Sequence, residues 1–319
     1  MIKNKEKNKM NKYIKMTDQE QTDLYVKPIL AGIIEQLKLI DEGKTSSKWV
    51  KPFKSLSQAM NTPNKIDGGS YGLYNSMACL YFQSKYNYEY NLWGTYNQIK
   101  ALGGKVIKGQ KASEKGQYLF KMFDIVKKDD LNPDEVKGVF KKRKWYCVFN
   151  IDQTEGLEHL KVEPTAPPKP KSKVQEIPEI ESYIKNTNIK ITSNTEGRCY
   201  YSPTLDYISM SDKASWKKVN NVSETELWYS VAFHELSHAT GHKSRLDRLD
   251  NFGYSFEELI AELSSAILGA KFGIASALQP NHAQYIKGWI KQLEEKPNTL
   301  LKACALANKS VKWLDEQQQ

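Results

Sequence analysis

The sequence contains 319 residues, of which 39% are hydrophobic and 26% are charged, a composition that excludes a disordered or fibrous protein. The formal net charge of +10 is unevenly distributed. Residues 1–163 carry 28 basic and 19 acidic side chains, or +9, whereas residues 164–319 carry 19 and 18, or +1. The length predicts two domains, and the basic first half indicates an acidic partner.

No run of 18 or more apolar residues is present, and the N-terminal segment MIKNKEKNKMNKYIKM has no apolar region after its basic residues. We therefore expect neither a membrane span nor a signal peptide, and we expect a cytoplasmic protein. The cysteines form no CxxC pair, which argues against a disulfide framework and a cysteine zinc site. We interpret all four as small buried apolar side chains: Cys79, Cys147, Cys199 and Cys304.

The first half begins with residues 1–20, which are rich in Lys and Asn and predict a solvated tail. Apolar residues at helical spacing predict a helix from about Gln21 to Ile40. Strand-like runs follow at 116–123 and 144–152, and the charged segment 127–138 between them indicates a hairpin excursion. These elements predict an α+β domain over residues 21–161.

A proline-rich segment, residues 162–180, contains five prolines and predicts an extended linker. Beyond it, the pattern predicts a helix at 178–186, strands at 188–194 and within 199–210, and then mostly helix. The overall fold class is therefore α+β, with a mainly helical second domain, residues 181–319, that contains a small sheet.

The most specific motif is HExxH in VAFHELSHATGH, residues 231–242. On a helix, His234 and His238 lie on one face and can bind one metal ion, while Glu235 lies beside the open coordination position. An S-x-x-E capping box at Ser223 and Glu226 supports a helix start. The pattern indicates a zinc site with one ion per chain, where Glu235 would act as the proton-transferring residue of a metal-assisted hydrolysis.

The third ligand is expected in the next predicted helix, residues 255–273. Glu258 lies twenty residues past His238, a spacing that resembles glutamate-type zincins. The competing interpretation is that Ser255 and Glu258 form a capping box, in which case Glu262 would be the substitute ligand. With Glu258 as the ligand, Glu262 would lie one turn later and orient His234 or His238 through a hydrogen bond.

Three other polar residues, His242, His282 and Tyr285, are further candidates for the site. His242 follows the expected helix end, and Ser244 stands where a metzincin would need histidine, so His242 is interpreted as a group outside the ligand set. His282 and Tyr285 are candidate donors to a transition-state oxyanion, although a buried structural pair is an equally good interpretation.

The basic half also contains nine aromatic residues between Tyr71 and Tyr96, flanked by lysines. Stacking rings beside cations are typical of surfaces that bind single strands, whereas tyrosines at helical spacing are also typical of a core. Glycines at 103–116 predict turns that display lysines. The candidate DNA-binding residues are Trp49, Lys51, Tyr71, Tyr74, Trp93, Tyr96, Lys100, Lys105, Lys108 and Lys111.

Two sets of segments resemble the ArdC antirestriction proteins. WVKP (49–52), YGLYNSMACL (71–80), LWGTYNQIKALGGKVIKGQKA (92–112) and WYCVFNIDQTEGL (145–157) resemble the N-terminal single-stranded-DNA-binding domain of that family. WYSVAFHELSHATGHKSRLDR (228–248), FEELIAELSSAILG (256–269) and NHAQYIKGWIKQL (281–293) resemble its zincin-like metallopeptidase domain.

The resemblance implies a protein of a plasmid, phage or related mobile element that binds single-stranded DNA and protects incoming DNA from host restriction. It also implies that His234 and His238 bind the metal, that Glu235 is the catalytic glutamate and that Glu258 is the third ligand. Two alternatives stay open: a zinc metalloprotease that acts on a host restriction protein or other protein substrate, and a DNA-binding protein whose zinc is structural.

Overall fold

The computed structural model of the chain describes residues 16–41, 63–128, 136–161, 174–218, 222–274 and 283–318. The first helix, α1 (Asp18–Gln21), begins at a capping box in which the Thr17 hydroxyl accepts from the Glu20 amide and the Glu20 carboxylate accepts from the Thr17 amide. The predicted tail, residues 1–20, therefore overlaps this helix from Asp18 onward.

A π-helical turn, Thr22–Val26, joins α1 to α2 (Lys27–Asp41). This turn changes the helical register, so Leu24 is 53% exposed although it belongs to the predicted apolar stripe. Ile29 and Ile33 are buried as the spacing predicts, and Val26 is buried as well. The predicted helix over 21–40 is confirmed, with this local exception.

Among the described residues, the rest of the first half combines two α-helices, α3 (Leu73–Tyr86) and α4 (Tyr96–Ala101), with short strands. One sheet has the order β1-β2-β6 and a second pairs β3 with β7. In the first sheet, β1 and β2 run parallel and β6 is antiparallel to β2. The strands are β1 (Asn64–Lys65), β2 (Leu92–Gly94), β3 (Lys105–Val106), β6 (Phe149–Asn150) and β7 (Thr154–Glu155).

A long antiparallel hairpin, which we call the ribbon, is formed by β4 (Tyr118–Lys128) and β5 (Val136–Cys147). Its register pairs Tyr118 with Cys147 at one end and Lys128 with Val136 at the other. The hairpin is confirmed, but its strands extend into the charged segment 127–138 that the sequence marks only as an excursion.

The second half begins with α5 (Pro178–Asn186), where the predicted helix is confirmed. A three-stranded sheet of order β8-β10-β9 follows, with β10 parallel to β8 and antiparallel to β9. Four further α-helices lie in the part of this half that the structure describes. These elements are β8 (Lys190–Asn194), β9 (Tyr200–Ser202), β10 (Tyr207–Ser211), α6 (Glu224–Thr240), α7 (Tyr254–Phe272), α8 (Ala283–Glu295) and α9 (Asn298–Glu316).

The two halves share a hydrophobic core. One cluster joins buried residues of α2 and α3 to buried residues of α7, α8 and α9, and Met77 of α3 lies 3.9 Å from Cys304 of α9 between their sulfur atoms. A second cluster packs α5 and the β8-β10-β9 sheet against α6, and Leu268 of α7 and Leu314 of α9 also belong to it. Helices α7 and α9 therefore bridge both clusters. The predicted division into two domains at residues 162–180 stays a prediction, because residues before and after this segment belong to one hydrophobic core.

The α+β class is confirmed. Among the described residues, none of the helices has the length and apolar character that crossing a bilayer requires. All four cysteines are free thiols, as predicted, but only Cys79 and Cys304 are fully buried, while Cys147 and Cys199 are partly exposed. Burial raises the pKa of the Cys79 thiol.

Candidate metal centre

The metal-binding motif lies in α6, a helix whose start the sequence specifies. The Ser223 hydroxyl accepts from the Glu226 amide at 3.3 Å, and the Glu226 carboxylate accepts from the Ser223 amide at 2.9 Å, so the predicted capping box is confirmed. His234 and Glu235 are buried, and His238 is mostly buried. The last helical residue is Thr240, and Gly241 is the C-cap.

Three side chains converge at the centre of this site. The Nε2 atoms of His234 and His238 are 3.0 Å apart, and they lie 3.5 Å and 3.4 Å from the carboxylate oxygens of Glu258. One ligand atom from each residue lies within 4.8 Å of the other two. Both imidazoles thus direct the same ring nitrogen toward one carboxylate, which is the donor arrangement of a His₂Glu metal site.

Glu258 has this position because of where α7 begins. The residue before the helix is Gly253, which provides no side-chain cap, so Ser255 and Glu258 both lie inside the helix. The capping-box interpretation of Ser255 and Glu258 is therefore wrong. Glu258 is 4% exposed and faces both histidines.

Two further glutamates of α7 contact the outer nitrogens of the imidazoles. Glu262 Oε1 lies 3.4 Å from His234 Nδ1, and Glu257 Oε1 lies 3.5 Å from His238 Nδ1. Carboxylates at this position orient a ligating imidazole and strengthen it as a ligand. The geometry agrees with the orienting role predicted for Glu262. The same role for Glu257 was not predicted from the sequence.

Glu257 is itself held by a buried arginine. Arg248, which is 3% exposed, donates from Nε to both Glu257 oxygens at 3.1 and 3.0 Å and from Nη2 to Oε1 at 2.7 Å. Its remaining donors reach Thr240 Oγ1, Ser310 Oγ and the Ser237 carbonyl. The sequence offered no signal for Arg248, because a basic residue in a loop after the motif looks like any solvated side chain.

Imidazoles and carboxylates lie close together in the cluster, and each shifts the pKa of the other. Burial disfavours the charged imidazole, but the carboxylates of Glu258 and Glu262 outweigh it and raise the pKa of His234 above its usual value. Burial also disfavours the charged form of Glu258, but hydrogen bonds from His234 and His238 outweigh it and lower the pKa of Glu258. A divalent cation would take the place of those protons, because metal ligands bind in their deprotonated forms.

The other candidates near the motif have different outcomes. The His242 imidazole contacts Ser244 Oγ at 2.8 Å and lies apart from the three-residue cluster, as predicted. His282 lies outside the described residues. Tyr285 belongs to α8, but its side chain is likewise outside what the structure describes, so the oxyanion-donor role of both stays a prediction.

The structure corrects part of the predicted DNA-binding set. Tyr74 is 3% exposed and Trp93 is fully buried, because both pack into the shared core, so neither ring can stack on a base. Tyr71 is partly buried and donates from its hydroxyl to the Trp93 carbonyl at 3.2 Å. Trp49 and Lys51 lie outside the described residues. The remaining candidates are exposed, as that role requires: Tyr96, Lys100, Lys105, Lys108 and Lys111.

Comparison with known families and structures covers both halves. Residues 24–150 match the N-terminal domain of anti-restriction factor ArdC, and residues 178–306 match a zincin-like metallopeptidase. The metal-free crystal structure of the antirestriction ArdC protein from the R388 plasmid superposes with a TM-score of 0.71 at 30% identity, covering 93% of this chain and 98% of that one. Its Mn(II)-bound structure gives a TM-score of 0.69 at 28% identity, covering 92% of this chain and 97% of that one.

Two sequence relatives are matched over very different shares of their own length. DNA primase TraC of Escherichia coli is 32% identical over 234 residues, which are 68% of this chain but 21% of the primase, so the chain spans about a fifth of that protein. The protein y4eC of Sinorhizobium fredii is 28% identical over 313 residues, covering 95% of this chain and 94% of that one.

Proposed function

The chain belongs to the ArdC antirestriction family, and from this membership we propose that it protects the incoming DNA of a plasmid or phage from host restriction by binding single-stranded DNA and holding one zinc ion. This role places the protein in the cytoplasm, where entering DNA meets restriction enzymes. The observation that carries the metal part is the convergence of His234, His238 and Glu258 on one point.

The donor set favours zinc among divalent ions. Two imidazoles and one carboxylate are a common set for catalytic zinc, which keeps a further position for water. Manganese binds similar N/O sites more weakly than zinc does. The crystal structure of the plasmid R388 relative holds Mn(II), which supports a divalent ion at this site without selecting the element.

The site would support hydrolysis through the residues around the ligands. A zinc ion held by His234, His238 and Glu258 would supply a coordinated water with a pKa of about 7 and would polarise a substrate carbonyl. Glu235, 7% exposed and next to His234 in α6, would accept the proton of the attacking water on its carboxylate and deliver it to the leaving amine. Glu262 and Glu257 would hold the two imidazoles in orientation throughout.

Metal content tests the site directly. We expect about one zinc ion per purified chain, and His234→Ala should lower that content strongly because it removes one of three ligands. Thermal unfolding with added Zn²⁺ or Mn²⁺ should show the larger stabilisation for Zn²⁺. Full zinc retention in His234→Ala would reject the ligand assignment.

Transfer assays test the biological role. Expression of the chain should raise conjugative transfer of an unmodified plasmid into a restricting host and leave transfer into a restriction-deficient host unchanged. An equal effect in both hosts would contradict the antirestriction role.

The variant Glu235→Gln, tested in the same transfer assay, separates the two alternative functions. Loss of protection with DNA binding intact would favour proteolysis of a host protein, and full protection would favour a structural zinc.

A further inference from the structure

The ribbon is an unusually basic and apolar surface. Its 23 strand residues contain eight basic side chains and one acidic side chain, a net charge of +7. Four large apolar side chains remain exposed on it: Met122 (44%), Phe123 (39%), Ile125 (38%) and Val139 (57%). A two-stranded hairpin that keeps such side chains in water is marginally stable alone, and exposed apolar area of this kind marks interaction sites.

The register separates the two faces of the ribbon. Lys121, Phe123 and Ile125 share one face because alternate residues of a strand point the same way, and Lys144 and Lys142 lie directly opposite Lys121 and Phe123. We call these five residues the cationic face. Asp124, the only acidic residue of either strand, is on the other face, opposite Lys141.

The cationic face holds unneutralised positive charge. Lys121 and Lys144 are directly opposed across the ladder, an arrangement that destabilises a hairpin through like-charge repulsion. Within the described part of the chain, no carboxylate lies within ion-pair distance of Lys121, Lys142 or Lys144. An anionic partner would relieve this repulsion.

On the other face, the cation nearest the base of the ribbon is already engaged. The Arg143 guanidinium lies 5.6 Å from the centre of the Phe120 ring and 5.8 Å from the centre of the Trp145 ring. Phe120 and Trp145 pack on Tyr74 at the base of the ribbon. Arg143 therefore stiffens the base, which leaves the cationic face as the side with free lysines beside an exposed ring.

We propose that the cationic face of the ribbon binds the single-stranded DNA. This inference rests on the proposed function and names the surface that would carry it. Of the aromatic residues predicted to stack on bases, Tyr74 and Trp93 are buried and unavailable for that role. Phe123 offers a ring on which any base can stack, and the flanking lysines contact the phosphates on either side. An acidic protein surface would use the lysines but has no comparable use for an exposed ring.

The connecting residues 129–135 contain four acidic side chains, Asp129, Asp130, Asp134 and Glu135, which would repel phosphates. We therefore expect the strand to contact the half of the ribbon nearer the body of the protein. The competing explanation is that the lysines only prevent edge-to-edge pairing of ribbons, a common role of lysine on exposed strands. That explanation requires no effect of the lysines on DNA affinity.

The test uses the full chain and a fluorescent oligothymidylate in anisotropy titrations over a range of salt concentrations. The triple variant Lys121→Gln, Lys142→Gln, Lys144→Gln should lower the slope of log affinity against log salt by about 2, and weaken binding roughly 100-fold near 0.1 M salt, because three phosphate contacts are removed. Phe123→Ala should weaken binding roughly tenfold with an unchanged slope, since stacking is not ionic.

The matched control is Lys190→Gln, Lys291→Gln, Lys309→Gln, which makes the same change of net charge at exposed lysines of the second half. It should bind like the wild type. Circular dichroism confirms that each variant is folded, and photocrosslinking of the wild type should place the oligonucleotide on peptides of β4 and β5. Wild-type affinity in the triple variant, with self-association in its place, would establish the edge-protection explanation and overturn the proposal. Absence of binding by the wild type would instead reject the proposed single-strand function.

Discussion

Glu257 is the residue through which the surrounding protein orients His238, one of the two imidazoles proposed to bind the metal. Its carboxylate lies 3.5 Å from His238 Nδ1 and is fixed by three hydrogen bonds from Arg248. The pKa of Glu257 is lowered, because hydrogen bonds from His238 and Arg248 outweigh the effect of burial. An anionic Glu257 selects the His238 tautomer that leaves Nε2 free to bind a metal.

Replacing Glu257 by Gln should weaken zinc binding roughly 10- to 100-fold, the range found when an orienting carboxylate is lost. The amide keeps the size of the side chain but not its charge, and it leaves Arg248 without a buried counterion. Competition titration with a zinc chelator measures the affinity. Glu295→Gln, an exposed change in α8, is the control. Equal affinity in both variants would show that His238 needs no such support.

Gly241 is required for close packing at the end of α6 and has an ordinary backbone conformation, with φ −79°. A Cβ atom there would lie 2.9 Å from Leu249 Cδ2 and 3.1 Å from Arg248 Cγ. Gly241→Ala should therefore destabilise the fold by about 1–3 kcal/mol through overpacking. Because it displaces Arg248, it should also weaken zinc binding.

Urea unfolding measures the first effect and chelator competition the second. Gly253 supplies the control, since it has φ −66° and a Cβ atom there would meet nothing within 4 Å. Gly253 is the N-cap of α7, where alanine is less favourable than glycine, so we expect Gly253→Ala to cost about 1 kcal/mol or less and to leave zinc binding unchanged. A similar response of the two glycines would contradict the packing argument.

At the scale of elements, Arg245 connects the β9–β10 turn to the end of α6. Its Nε donates to the Ala239 carbonyl at 2.6 Å, and its Nη atoms donate to both carboxylate oxygens of Asp206, one of them at 3.1 Å. Tyr201 also donates to Asp206 at 2.8 Å. The hydrogen bonds from Arg245, more than that from Tyr201, lower the pKa of Asp206.

A lowered folded pKa fixes the sign of the pH dependence. The Asp206 contribution is fully present above the unfolded value of about 3.9 and is lost as the pH falls through the folded value. Asp206→Asn should therefore be less stable than the wild type at pH 6, by about 1 kcal/mol or less because the group is partly exposed. That difference should shrink at pH 3.

Asparagine suits this test, because it tolerates the positive φ of 49° at this position. Urea unfolding of wild type and variant at both pH values gives the comparison. Asp250→Asn, which removes an exposed carboxylate with no ion pair among the described residues, is the control. A difference that stays constant between pH 6 and pH 3 would mean that Asp206 acts through packing alone.

Capping and periodicity in the sequence predicted most helices and strands. They predicted the candidate metal site only for the residues that lie on one helix. The i, i+4 spacing of His234 and His238 and the capping box at Ser223 were sufficient to predict one face of α6. The partners from α7 depend on where that helix starts and how it packs, which is why the sequence left a capping box at Ser255 and Glu258 open as a competing interpretation. Arg248 acts only through tertiary contacts that no spacing encodes.

The aromatic segment shows the opposite limit. The spacing of aromatic residues predicts which of them share a side of an element, but not whether that side faces water or another element. Tyr74 and Trp93 belong to the shared core, where Tyr74 packs on Phe120 and Trp93 packs on Phe82 and Tyr88. The register of β4 and β5, which places Lys121 opposite Lys144, likewise follows from pairing across a long hairpin. The sequence indicated this hairpin without its extent.

At the scale of the molecule, the shared core implies that the halves stabilise each other. Helix α2 packs against α8, and α3 packs against α9, so apolar surface of the first half is covered by residues more than 200 positions away in the sequence. Separating the halves would expose this surface to water, which opposes separation in proportion to the apolar area. The positive net charge lies almost entirely within residues 1–163, whereas the buried core contains residues from both sides of that position.

We therefore predict that the chain stays a single particle after it is cut in the linker. With a protease site introduced within residues 162–173, the cleaved halves should co-elute in size-exclusion chromatography. Ala303→Glu places a charge in the shared core, where Ala303 is fully buried, and should release the halves after cleavage. Ala305→Glu, on the exposed side of α9, should not. Separate elution of two folded halves from the cleaved parent would show instead that each half is stable alone.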